Sequence, residues 1–275
     1  MGAAWNFMSY ESKDNLLEAV RRESAGMVEL TADPEVWMAP TGAGHWQVRD
    51  VVGHLIDTTE TYFVGFDAAR GDGDPPPLVP LVDMAVHVDR GAQAFRSLDR
   101  EAALERLHVA LDKMLGIEDA LTEEDWSLPV PHKYMGPLPA FFYPVFQLVD
   151  YAVHSWDIRE GSGKPHALEG RSADLLVPLC FVLWTATAKV APDTRPMELG
   201  VRITSGENAG DTHITVGPDG LVTSAGELGS IADVPTVIEF DPASFVLTAY
   251  GRTNAGTVHG DRDLGHAFLD GFFRI

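Results

Sequence analysis

A single cysteine, Cys180, stands in the 275 residues of this chain. That excludes an intrachain disulfide and any metal cage built from thiolates. Set in the apolar run LCFVLW, the thiol is expected to be a packed core group. Basic residues are scarce as well: 20 Lys and Arg face 41 Asp and Glu, a net charge of −21. Such a surface repels nucleic-acid phosphates and anionic lipid, so neither is expected as a partner. Anionic small molecules stay open, because they respond to local charge. No apolar run approaches the roughly 20 residues that cross a bilayer. The opening MGAAWNFMSYESKDN has neither the basic start nor the apolar core of a secretory signal. Asn6 stands where a myristoylation signal takes Ser or Thr. The expectation is a cytoplasmic protein. Also missing are a Gly-rich phosphate loop behind a strand and a G-x-S-x-G elbow, which argues against nucleotide and serine-hydrolase chemistry.

What is present divides in two. Apolar residues recur every three or four positions from Asn15 to Leu30 and from Gln47 to Gly65, predicting amphipathic helices. A Pro-rich break, GDGDPPPLVP, is followed by a long helix-prone region from Asp83 to Glu118. LTEEDW, with Thr122 ahead of three acids, reads as a helix start. SLPVPHKYMGPLP reads as a loop before a fourth helix, Ala140 to Arg159. After the linker GSGKPHALEG comes one apolar helix, SADLLVPLCFVLWTATAKV. Then MELGVRIT, DTHITVGPDGLVTSAG and PTVIEF alternate apolar and polar residues and predict strands, with a hairpin at GPDG. DPASFVLTAYG returns to helical spacing with Asp241 as N-cap and Pro242 just inside, and DRDLGHAFLDGFF does the same. The fold class is mixed: a four-helix bundle over residues 1–165, then a smaller α+β module over 166–275.

One helix carries the candidate chemistry. In DYAVHSWDIREG, Asp150 and His154 lie four residues apart, so both emerge on one helical face. His54, in VVGHLID, sits among residues that should face a core, and a buried imidazole needs partners for its nitrogens. Metal sites in bundles are assembled from inward side chains of different helices, and a catalytic zinc typically takes three protein ligands with one position left open. His54, Asp150 and His154 fit that pattern. The bland alternative is a core histidine satisfied by a carbonyl beside an acid on a solvated helix edge. Trp156 is expected to pack, and Asp157 to fix a ring nitrogen or Arg159. His87 and His132 could line the mouth of the bundle, but surface placement is expected for both.

The Trp-containing loop leading into GHWQVRDVVGHLID, with the downstream D-x-x-x-H-x-W-D element, resembles the mycothiol-dependent maleylpyruvate isomerase family. That family belongs to the wider DinB-like superfamily of four-helix metalloproteins. The resemblance extends to the closing segment GRTNAGTVHGDRDLGHAFLDGFF, which is similar to the family's sterol-carrier-like C-terminal domain. It implies that His54, Asp150 and His154 hold a divalent metal, zinc before nickel or iron, and that mycothiol is the thiol cosubstrate. It also implies an enzyme that isomerises a small electrophile or transfers the thiol to it. The isomerase carries Glu where this chain has Asp150, which leaves S-transferase and isomerase both open. Arg252, in AYGRTN, matches a Gly-Arg element of the family and, with Arg90 in HVDRGAQ, is a candidate for binding an anionic substrate. A metal-dependent hydrolase and a non-catalytic carrier with a structural metal are the alternatives. The sequence leaves the oligomeric state open.

Overall fold

Helix α1 (Lys13–Thr31) buries Leu16, Leu17, Val20 and Met27. That is the three-and-four spacing its sequence predicts. Helix α2 (Val48–Arg70) starts where Asp50 turns back to accept the Gln47 N–H at 3.0 Å. The same buried carboxylate takes a forked pair from Arg96, at 2.7 and 2.8 Å. It therefore joins the start of α2 to the segment after α3 (Met84–Ala94), and these contacts hold its pKa low against the cost of burial. Gly71 ends α2 in the left-handed region, φ 84°, which a residue with a Cβ rarely adopts. Helices α4 (Arg100–Ala120) and α5 (Phe142–Gly161) complete the bundle. Helix α1 packs on α5 and α4, and α2 packs on α3, α4 and α5.

The computed structural model describes residues 2–164 and 166–272. The chain forms two compact units, Phe7–Ala167 and Met1–Asn6 with Leu168–Ile275. The opening residues, which the sequence pattern assigns to the bundle, thus cluster with the second unit. There the Trp5 carbonyl accepts from Asn208 Nδ2 at 3.1 Å, and the Arg171 guanidinium lies 5.6 Å from the Trp5 ring.

The bundle departs from expectation in three places. The helix-prone region from Asp83 breaks into α3 and α4 around a 3-10 turn at Phe95–Ser97, and Asp99 caps α4 by accepting Ala102 N–H at 2.8 Å. LTEEDW starts no α-helix. Its Thr122 and Asp125 cap each other across a single 3-10 turn, Asp125–Ser127. The Pro-rich stretch expected as a loop is an antiparallel hairpin, β1 (Pro129–His132) with β2 (Gly136–Pro139). A two-stranded ribbon is all edge, so its prolines cost few ladder bonds.

In the second unit, β3 (Met197–Ile203), β4 (Gly210–Gly217), β5 (Gly220–Gly226), β6 (Val237–Phe240) and β7 (Thr257–His259) form a sheet in the order β5-β4-β3-β6-β7. Only the β3–β6 pair is parallel. Leu199, Val201 and Ile203 of β3 are buried, while Arg202 reaches across to Asp211 with a fork at 2.7 and 3.0 Å. The expected strands and the GPDG hairpin form; β7 was not anticipated. Helices α6 (Gly170–Thr187) and α7 (Pro242–Ala249) pack together, and α8 (Arg262–Leu269) meets β3 and β7. Asp241 caps α7 with Pro242 inside, as the sequence predicts. Cys180 is fully buried.

Candidate metal centre

Helix α5 is buried at nearly every position from Phe142 to Ile158; the exceptions are Phe142, Phe146 and Asp150, which are half-buried. These recur every fourth residue, so the accessible atoms form one stripe along the helix. One turn on from Asp150, His154 continues the row and is 7% exposed. Helix α2 runs antiparallel beside it. His54 faces His154, with ring centroids 5.0 Å apart and planes at 80°, while Tyr62 faces Tyr143 and Phe146 at 4.9 and 6.5 Å.

At the His end of this groove His54 Nε2 lies 3.6 Å from Asp150 Oδ1. One ligand atom from each of His54, Asp150 and His154 falls within 4.8 Å of the other two. A cation with bonds of about 2.0–2.2 Å to imidazole nitrogen and carboxylate oxygen needs donors converging at this scale. The orientation of each ring suits that use. His154 Nδ1 is 2.8 Å from Oδ2 of the fully buried Asp157, so Nδ1 carries the proton and Nε2 keeps its lone pair. Thr58 Oγ1 stands 3.3 Å from His54 Nδ1 and leaves that ring's Nε2 facing Asp150. The donor set, two imidazoles and one carboxylate, suits a borderline divalent ion.

The residues around the triad explain why the rings stay put. Gly42 N–H donates to the Asp157 carbonyl at 2.7 Å, and a Cβ at Gly42 would come within 3.1–3.3 Å of Asp157, Trp156 and Glu160. The loop is thereby fastened to α5, and it delivers Trp46 onto the site, 5.2 Å from the His54 ring and 5.8 Å from the His154 ring. The indole Nε1–H donates to Asp89 Oδ1 at 2.9 Å, and Gln93 and His45 also bond that carboxylate. The Trp46 bond, with those from Gln93 and His45, lowers the Asp89 pKa. Trp46 and Asp89 were not anticipated from the sequence; the available hint was Asp89 four residues before Gln93 on a predicted helix.

The remaining candidates are not members of the triad. Arg90 is exposed on α3, next to Asp89. Arg252 belongs to the second unit, where its guanidinium donates to the Tyr250 carbonyl at 2.9 Å. Asp157 bonds His154, one of the two partners expected for it, and Trp156 is buried. His132 corrects the expectation of surface placement. It is half-buried in an aromatic cluster, 5.5 Å from Phe146, 5.8 Å from Tyr134 and 6.1 Å from Tyr62. Nothing in the local string PVPHKY signalled this, because it depends on the hairpin folding back onto α2 and α5.

Two histidines and a carboxylate from two antiparallel helices of the bundle thus form a group of the kind that can hold a metal ion. Residues 17–159, just over half the chain, match the family described as the mycothiol maleylpyruvate isomerase N-terminal domain, and the chain belongs to that family, an enzyme family. Two solved structures of mycothiol-dependent maleylpyruvate isomerase, one of them a histidine-to-alanine mutant, share the DinB-like fold. The mutant aligns with a TM-score of 0.60 at 13% identity and the other with 0.60 at 14%; each alignment covers 90% of this chain and 92% of the other. No curated protein matches the chain.

Proposed function

We propose that this chain is a cytoplasmic, metal- and thiol-dependent enzyme whose His54, Asp150 and His154 hold a divalent cation, zinc in the first instance. The cation would supply Lewis acidity that favours the thiolate form of a small thiol, which is mostly protonated at neutral pH when free. Mycothiol is the thiol the family name points to, and the reaction is its addition or transfer to a small electrophile, as in an isomerase or an S-transferase. The observation that carries this reading is the convergence of one ligand atom from each of His54, Asp150 and His154 within 4.8 Å, with His54 Nε2 3.6 Å from Asp150 Oδ1.

The chain's own residues divide the labour. Asp157 keeps the His154 proton on Nδ1, and Thr58 Oγ1 lies beside His54 Nδ1, the ring nitrogen away from Asp150. Trp46, 9% exposed and tied to Asp89, packs beside both imidazole rings. Asp150 is half-buried and opens the site toward the groove. Arg90 and Arg252 are offered as cations for an anionic substrate, with Arg90's exposed side chain suited to capture.

The test replaces His54 or His154 by Ala and measures both bound zinc and thiol conjugation across mycothiol, glutathione and bacillithiol, with maleylpyruvate among the electrophiles. Both readouts should fall together. Conjugation that persists after the metal is lost would exclude this function.

A further inference from the structure

The groove between α2 and α5 has a second polar end. The β1–β2 hairpin is held there by two fixed contacts. Tyr143 Oη donates to the Val130 and Pro131 carbonyls, each at 3.2 Å, and a Cβ at Gly65 of α2 would stand 2.5 Å from the Pro131 oxygen. This clamp places the His132 ring against Tyr62 of α2 and Phe146 of α5. Phe146 lies one helical turn before Asp150, and Tyr62 two turns beyond His54, so the two rings that flank His132 stand on the same helices as the triad, one and two turns from its members.

The ring's protonation is set by its neighbours. The Tyr134 N–H donates to His132 Nδ1 at 3.3 Å. In the neutral imidazole the proton must then sit on Nε2. Burial pushes the His132 pKa down to about 4, with the Asp150 charge working against it, so the ring is neutral at physiological pH. A neutral imidazole with a fixed N–H is a hydrogen-bond donor suited to a developing oxyanion, which it can stabilise without giving up its proton.

We propose that His132 is a catalytic residue, donating Nε2–H to the carbonyl oxygen of an electrophile whose reacting double bond is conjugated with that carbonyl. This rests on the thiol-activating function proposed above. The thiolate sulfur forms a bond to the distal alkene carbon, the π pair shifts toward the carbonyl, and the oxygen takes the negative charge as an enolate. The Nε2–H bond strengthens as that charge grows. Return of the electron pair expels sulfur and restores the double bond, or protonation of the carbon by water leaves the thioether. Displacement on an alkyl halide places no charge on oxygen and gives this donor nothing to stabilise.

The experiment compares wild type, His132→Phe and His132→Gln in the full-length zinc-loaded protein with mycothiol. Maleylpyruvate serves as conjugated acceptor and iodoacetamide as alkylating control, and zinc content and thermal melting are recorded for each protein. Expected for His132→Phe is a fall of about 10²-fold in kcat/KM toward maleylpyruvate. Iodoacetamide alkylation and zinc content should be unchanged, and Gln, which keeps an N–H donor, should recover part of the loss. Should Phe fail to fold, His132→Met, similar in bulk and without a donor, takes its place. Equal falls with both electrophiles, or no fall with either, overturn the proposal while leaving the thiol-activating reading standing. Wild type that binds no zinc or conjugates neither electrophile overturns that reading and this one with it.

Discussion

Asp157 illustrates how much a residue that never reaches the ligand position can govern. It is fully buried and bonds His154 Nδ1 at 2.8 Å. Asp157→Asn keeps the shape but can present an amide N–H where an acceptor is required, so ring orientation and basicity both suffer. Zinc affinity should fall about 10–100-fold, as measured by competition with a chelator, with the fold unchanged by circular dichroism. A different buried acid makes a prediction about stability. Glu118, on α4, is fully enclosed; with the amide nitrogen of Gln147 turned toward it, that group donates at 3.2 and 3.0 Å. Burial, then the Asp119 charge, raises its pKa well above the usual carboxylate range. The folded state therefore holds a proton that the unfolded chain has already lost above its own pKa of about 4.3. Its contribution to stability is complete below that pH and declines as pH rises toward the folded value. Glu118→Gln should melt higher than wild type at pH 8, with the gap narrowing toward pH 5, in a calorimetric series.

Helices α2 and α3 meet without room for a side chain. A Cβ at Gly53 would collide with the Ala92 carbonyl, and one at Gly91 with the Asp57 carboxylate. Backbone cannot yield as a flexible side chain does, so Gly53→Ala should cost about 1–3 kcal/mol in denaturant unfolding. It should also shift α3, loosening Asp89 and with it Trp46, which a blue-to-red change in tryptophan emission would reveal. These elements also mark where sequence reasoning reaches its limit. Helices α1, α2 and α5 are plain from periodicity, because their core faces are wide and uninterrupted. Asp150 and His154 share a face by local geometry alone, so that half of the site was legible, and His54 followed from its apolar neighbours. The α3–α4 break was not, since QAFRSLDREA keeps apolar spacing through the turn and only Asp99 announces a new helix. The hairpin was hidden because proline argues against strands in general, whereas a two-stranded ribbon tolerates it. His132 and Trp46 reach the groove through tertiary contacts with α2, α3 and α5, which no spacing rule encodes.

For the whole molecule, a charge of −21 over 275 residues means that like charges oppose compaction. Raising monovalent salt from about 10 to 200 mM, which shortens the screening length, should raise the melting temperature. A constant or falling value would show that specific ion pairs, such as Arg106 with Glu60 and Arg21 with Asp119, outweigh the net repulsion. All three candidate ligands lie within Phe7–Ala167, so Trp5→Ala should weaken the second unit's thermal transition and leave zinc stoichiometry intact. The placement of Met1–Asn6 with Leu168–Ile275 has a consequence for the order of assembly. Topologically the bundle is an insert in the smaller unit, whose first strip of chain emerges from the ribosome before any of its partners exist. Trp5 must wait while some 200 residues are synthesised between it and Asn208, the whole bundle among them. The bundle, by contrast, is closed by consecutive chain and can mature during translation, so its three candidate ligands can come together before the second unit is complete.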